Sequence, residues 1–265
     1  MFFSLNSLTL TLIVVGVIGA ATVAGVLLGR RLRHHSAVLR EPFGVLQAAL
    51  LGVVGLILAF GLSLAVGRYE ARRTAVVDEA NAIGTTYLRA QLIAEPARTR
   101  SLALLREYTD LALRLSHEVP SSGDMRRTAA AEGVVQRRLW RLAGEALDAE
   151  PVASGPRLYV DSLNTMIDMQ TVRVSGLNNR VPGAILALEM VGAAIALGLL
   201  GLFLAVLGRG LVPLVLAAAL VSMLLLVTFD LDRPTRGLIR VPDKPLTSLR
   251  ASMELPPAAK GPDDR

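Results

Sequence analysis

Ala184–Phe229 reads AILALEMVGAAIALGLLGLFLAVL, GRG, LVPLVLAAALVSMLLLVTF: two apolar runs, Ala184–Leu207 and Leu211–Phe229, parted only by Gly208-Arg209-Gly210. As an α-helix the second run extends roughly 28 Å at about 1.5 Å per residue, against a bilayer hydrocarbon core of about 30 Å. Three residues between two such runs force a reversal, so the two helices turn back and pack side by side. Two further runs, Leu8–Leu28 and Phe43–Val66, are equally apolar, and the first of them reaches roughly 31 Å by the same rise.

The expectation is an all-α membrane protein: four transmembrane helices as two hairpins (residues 1–66 and 183–229) flanking a helical extramembrane bundle (67–182), with a membrane-proximal motif and a disordered tail over 230–265. The only polar residues of Leu8–Leu28 are threonines, whose hydroxyls a helix satisfies on its own backbone. No charge precedes Arg30, so the basic region of a cleaved signal peptide is missing and this run reads as a retained span.

Two spans each carry a polar residue about five positions inside a helix end, Gln47 and Glu189. Glu189 is a candidate intramembrane site, since a carboxylate there is costly unless paired, protonated or wet; at this shallow depth the competing reading is a side chain reaching the headgroups. Gln47 suits an interhelical hydrogen bond. Gly25/Gly29 and Gly192/Ala196 have the small-xxx-small spacing of closely packed helices, within a chain or between chains. For orientation, Arg30, Arg31, Arg33, Arg40 and Arg209 in the short loops favour a cytoplasmic side there, which places both termini and the polar middle outside; Arg68, Arg72 and Arg73, with Arg233, Arg236 and Arg240, oppose it.

Residues 67–182 hold 16 arginines against 14 acids, so the net charge of +6 comes mostly from the short loops. Interleaved charges with few aromatics do not make the clustered basic face that nucleic acid requires. Apolar residues recur at helical spacing in four stripes: Val76, Ala80, Ile83, Tyr87; Leu105, Tyr108, Leu111, Leu115; Val135, Leu139, Leu142, Ala146; and Leu163, Met166, Ile167, Val174, Leu177. The first continues from the second span without a breaker, which predicts one long helix. Pro96 and Pro120 bound the second, and Ser121-Ser122-Gly123 and Ser154-Gly155-Pro156 are turns.

Catalytic and cofactor motifs are missing: there is no phosphate-binding loop, no His-Glu-x-x-His and no Gly-x-Ser-x-Gly. With no cysteine, thiol chemistry and disulfides are excluded. His34, His35 and His117 lack metal-ligand spacing. No enzyme activity, cofactor or metal is therefore expected. After the fourth span, Asp230, Asp232, Arg233, Pro234, Arg236 and Gly237 form a compact motif. Its i, i+2 carboxylates suit either a divalent ion or, as the plainer reading, structural ion pairs with the arginines.

Arg68-Tyr69-Glu70-Ala71-Arg72-Arg73, then Asp78-Glu79-Ala80-Asn81-Ala82-Ile83-Gly84-Thr85-Thr86-Tyr87-Leu88-Arg89, with Tyr108 in Leu-Arg-Glu-Tyr, Arg180-Val181-Pro182-Gly183 and Asp232-Arg233-Pro234 followed by Gly237, resemble the bestrophin-like domain family of membrane proteins, mostly of unassigned function. The resemblance covers most of residues 40–250 and implies kinship with bestrophins, which are oligomeric anion channels. The spans are aliphatic and lack the aromatic gate of those channels, and Pro234-Thr235 stands where Pro-Phe is expected.

Arg72, Glu79, Asn81 and Arg89 are expected to form either a solvated face or a buried polar network, with Arg173 or Arg180 as partner of Glu79 and Gly84 admitting a neighbouring helix. Two functions fit: a homo-oligomeric ion channel or transporter-like protein passing an ion or small solute, or a non-conducting scaffold or sensor whose helical domain binds a partner. Lipid bilayer is the expected surrounding in both.

Overall fold

The computed structural model describes residues 6–32, 40–235 and 237–259, with backbone alone for 40–43. Among the described residues every regular element is a helix: α1 Ser7–Leu32, α2 Arg40–Ala90, α3 Ala97–His117, α4 Gly123–Ala149, α5 Ser154–Asn178, α6 Gly183–Leu207, α7 Val212–Leu231 and α8 Lys244–Ser252. Four of them are long and apolar enough to cross a membrane. The chain divides into two compact units, Met1–Tyr69 with Arg180–Arg240 and Glu70–Asn179 with Val241–Arg265.

The first unit holds α1, α6, α7 and the first part of α2. Thr22 Oγ1 donates to Ile18 O at 2.7 Å, the back-bonding expected of a threonine inside an apolar helix. Glycine sets how closely α1 and α6 approach. A Cβ at Gly25 would lie 1.9 Å from Gly198 O, one at Gly29 2.4 Å from Leu202 O, and one at Gly201 2.8 Å from Thr22 O. Backbone thus meets backbone, and dispersion replaces the hydrophobic drive that lipid removes. The Gly25/Gly29 pair therefore serves packing within one chain.

Sequence adjacency pairs α1 with α2, yet α1 packs on α6, with α7 against both. The α6–α7 reversal is as expected: Gly208 takes a left-handed φ of 66°, and the N–H of Arg209 reaches Leu204 O at 3.1 Å, closing α6 with a glycine cap. The loop between α1 and α2, with Arg33, His34 and His35, lies outside the described residues.

In the second unit, Ile83 on α2, Leu105 and Tyr108 on α3, Leu139 on α4, and Tyr159, Leu163 and Met166 on α5 are fully buried in one core. They come from the four stripes of the sequence. Ser122 caps α4, accepting the Met125 N–H at 3.0 Å, a contribution of about 1 kcal/mol. Helix α8 was not foreseen. It is short, begins on Lys244-Pro245 with proline in its first turn, and packs on α3. Leu246 and Met253 are buried in the same core, Met253 O accepts from Arg106 Nη2 at 3.0 Å and from the Tyr87 hydroxyl at 3.2 Å, and a Cβ at Gly84 would lie 3.2 Å from Leu249. The helix that Gly84 admits is α8. The end of the chain, expected to be a disordered tail, is tied at Ala259, whose N–H donates to Gln91 Oε1 at 3.0 Å; residues 260–265 are outside the described set.

Candidate functional site

Arg173, on α5, is 2% exposed and points into the core of the second unit. It forms a buried ion pair with Glu79 on α2, and its second terminal nitrogen donates to Ala112 O at 2.8 Å and Ser116 Oγ at 2.7 Å, both on α3. The Tyr108 hydroxyl lies 3.5 Å from Glu79 Oε1 and accepts from Gln136 Nε2 at 3.3 Å. Four helices therefore contribute to one polar cluster. Fully buried Glu132, on α4, accepts from Gln170 Nε2 at 3.0 Å through one oxygen, while its other oxygen has no partner among the described residues. Burial first, and the Glu79 charge second, push Glu132 up to about 7; burial likewise raises the Tyr108 phenol far above its ordinary range.

Of the residues expected to share a network, the structure brings only Glu79 and Arg173 together. Helical geometry turns Asn81 away, since α2 rotates about 100° per residue and positions two apart face different ways, while Arg72, seven residues before Glu79 on the same face, is about two turns distant along the axis. Asn81 is exposed and, with Arg89, Asp78 and Thr85, lines an open cleft of about 390 Å³ against Asp161, Ser162 and Thr165 of α5. There Arg89 is held by Asp161 at 2.9 Å and Leu158 O at 2.8 Å. Arg72 donates to Asn179 O at 3.3 Å. Arg180 belongs to the first unit, where burial lowers its proton affinity and the Asp232 charge opposes that. Sequence reasoning missed Glu132, Gln136 and Gln170. The signal was there: Thr128, Glu132, Val135 and Leu139 place a carboxylate on the buried stripe of α4.

In the first unit Glu189 is fully buried rather than reaching outward. Its carboxylate lies against Gly61 of α2, where a Cβ would sit 1.3 Å from Oε1, and neither oxygen has a hydrogen-bond partner among the described residues. Gln47 is also buried, and its Oε1 lacks a partner there too, so the expected interhelical bond does not form through that atom.

The motif after α7 folds on itself. Asp230 accepts the N–H groups of Leu238 at 2.9 Å and Ile239 at 2.8 Å, and Gly237 is so close that a Cβ would be 2.9 Å from either carboxylate oxygen. Asp232, buried, accepts the Val181 N–H at 3.0 Å, tying the end of α7 to the start of α6. Arg233 reaches Ser7 Oγ at 3.5 Å, and Pro234 is buried beside them. The two carboxylates thus take backbone N–H groups from different segments, Asp230 from residues 238–239 and Asp232 from Val181. Arg236 lies outside the described residues.

Along α2 the face turned inward is a narrow stripe, Gln47, Val54, Leu58, Gly61 and Ala65, while Ala48, Gly52, Gly55, Ala59 and Ser63 are exposed on another face. Gly52 and Gly55 have nothing within 4 Å of where a Cβ would be.

The family model described as Bestrophin-like domain matches residues 12–246. No curated protein matches the chain. A bacterial Bestrophin homolog from Klebsiella pneumoniae has a similar solved structure, with TM-score 0.61 at 17% identity over 89% of this chain and 96% of that one. A structure described only as a membrane protein is similar too, with TM-score 0.67 at 16% identity over 91% and 95% of the two chains.

Proposed function

The chain belongs to the Bestrophin-like domain family, and from that premise we propose that it is a homo-oligomeric channel-like protein of the cell membrane, passing an ion, with anions favoured by the kinship to bestrophins. The observation that carries the proposal is the exposed small-residue face of α2. Against lipid, glycine and alanine give up contact; between helices they allow close approach, so a face of Ala48, Gly52, Gly55, Ala59 and Ser63 suits neighbouring copies around a shared axis. The orientation that goes with it has both termini outside.

Because the chain has no cysteine, Ser63→Cys introduces a single reactive site. The expected result is oxidative cross-linking between copies and a fall in ion flux when a polar thiol reagent is added, while Leu216→Cys, exposed on α7, does neither. Equal behaviour of the two variants contradicts the assignment of this face. Intact oligomers without flux favour the scaffold or sensor reading.

A further inference from the structure

Among the described residues the buried charged side chains of the second unit are Arg72, Glu79, Glu132 and Arg173; Arg72 donates to Asn179 O at 3.3 Å, and the charges that act on Glu132 are those of Glu79, Arg173 and Glu118. Glu79 and Glu132 are fully buried and Arg173 is 2% exposed, and the hydrogen bonds of Arg173 go to Glu79, Ala112 and Ser116, none to Glu132. Glu132 is left with a neutral amide, Gln170, on one oxygen and with no partner on the other among the described residues. The groups facing it from the packed segments are Glu79 on α2, Tyr108 on α3, Glu118 just past the end of α3, and Arg173 and Gln170 on α5. Glu118 adds negative charge, its carboxylate taking the Thr128 hydroxyl at 2.7 Å.

Fully ionised, this cluster would keep an uncompensated negative charge in a low-dielectric core, which proteins avoid by binding a proton. We propose that Glu132 holds that proton and makes the cluster a one-proton switch: proton release as the surrounding pH rises loosens α4 from α5 and so regulates the packing of the second unit.

The sign follows from linkage. With Glu132 raised from 4.5 to about 7 in the folded chain, its stabilising contribution is complete below about 4.5, is lost as pH rises through about 7, and is constant above. Over that window the native chain binds one proton more than the unfolded chain, so the unfolding constant rises up to about tenfold per pH unit relative to a chain without this group.

The experiment compares thermal unfolding of the detergent-purified full chain and of Glu132→Gln from about pH 4.5 to 8. The ratio of their unfolding constants should change with pH in that window and level off above it. Infrared spectra should show a protonated-carboxyl C=O band that titrates near neutral pH in the wild type and is lost in Glu132→Gln. A ratio independent of pH, or an unchanged band, overturns the proposal. Amide hydrogen exchange on the wild type tests it without a variant: protection in α4 and α5, corrected for intrinsic exchange, should fall as pH rises from about 4.5 to about 7 and level off above, and pH-independent protection there also overturns it.

Discussion

Replacing Arg173 with methionine keeps an unbranched side chain of comparable reach while removing every donor that Glu79, Ala112 and Ser116 receive from it. Breaking a buried pair from one side leaves the partner charge stranded, at a cost of about 3–5 kcal/mol. For a chain of this size each kcal/mol moves the melting midpoint by roughly 2–4 °C, so the fall should be on the order of 10 °C. Glu79→Leu, which strands Arg173 instead, should cost a similar amount. The double variant should lose less than the two singles together, by about 2 kcal/mol or more, because apolar replacement of both members removes the stranded charge. The assay is fluorescence-detected unfolding through Trp140, the sole tryptophan, on α4. Additive losses would refute the claim that this pair organises the core.

Other changes probe separate parts of the account. Gly25→Leu puts a side chain where a Cβ already lies 1.9 Å from Gly198 O, so α1 must leave α6; the expected loss is at least the 1–3 kcal/mol or so typical of overpacking, read as reduced thermal stability of the purified protein. Asp230→Ala strips the acceptor from the Leu238 and Ile239 N–H groups and should cost about 2 kcal/mol or more, with proteolysis appearing between α7 and α8. Cysteine at Ser36 should resist an impermeant thiol reagent in intact cells while cysteine at Ser122 reacts; the reverse pattern would invert the orientation.

The long helices were legible because an apolar run of membrane length, or a 3.6-residue stripe ended by proline or a serine-glycine turn, leaves few alternatives; α2, 51 residues long, follows from the lack of any breaker between Val66 and Ile83. Partner choice was less legible. The glycines of α1 announced a close contact, but nothing local says that Gly198 and Gly201 of α6 supply the other side. Likewise Glu79 and Arg173 are 94 positions apart, and two candidate arginines were equal until the fold chose one. Glu132 escaped notice because an acid on a helix that mixes four acids with five arginines reads as solvated, and only its position on the stripe shared with Val135 and Leu139 shows otherwise. Helix α8 was hidden by its length, since nine residues with one internal proline carry little periodicity and take their stability from docking on α3.

The central claim, a homo-oligomeric channel, is tested most directly by measuring the mass of the protein in mild detergent and then the ion efflux it supports in liposomes. The account predicts a particle whose protein mass is a multiple of 28.2 kDa and efflux of anions through it. A stable 28.2 kDa monomer that leaves liposomes ion-tight would contradict it.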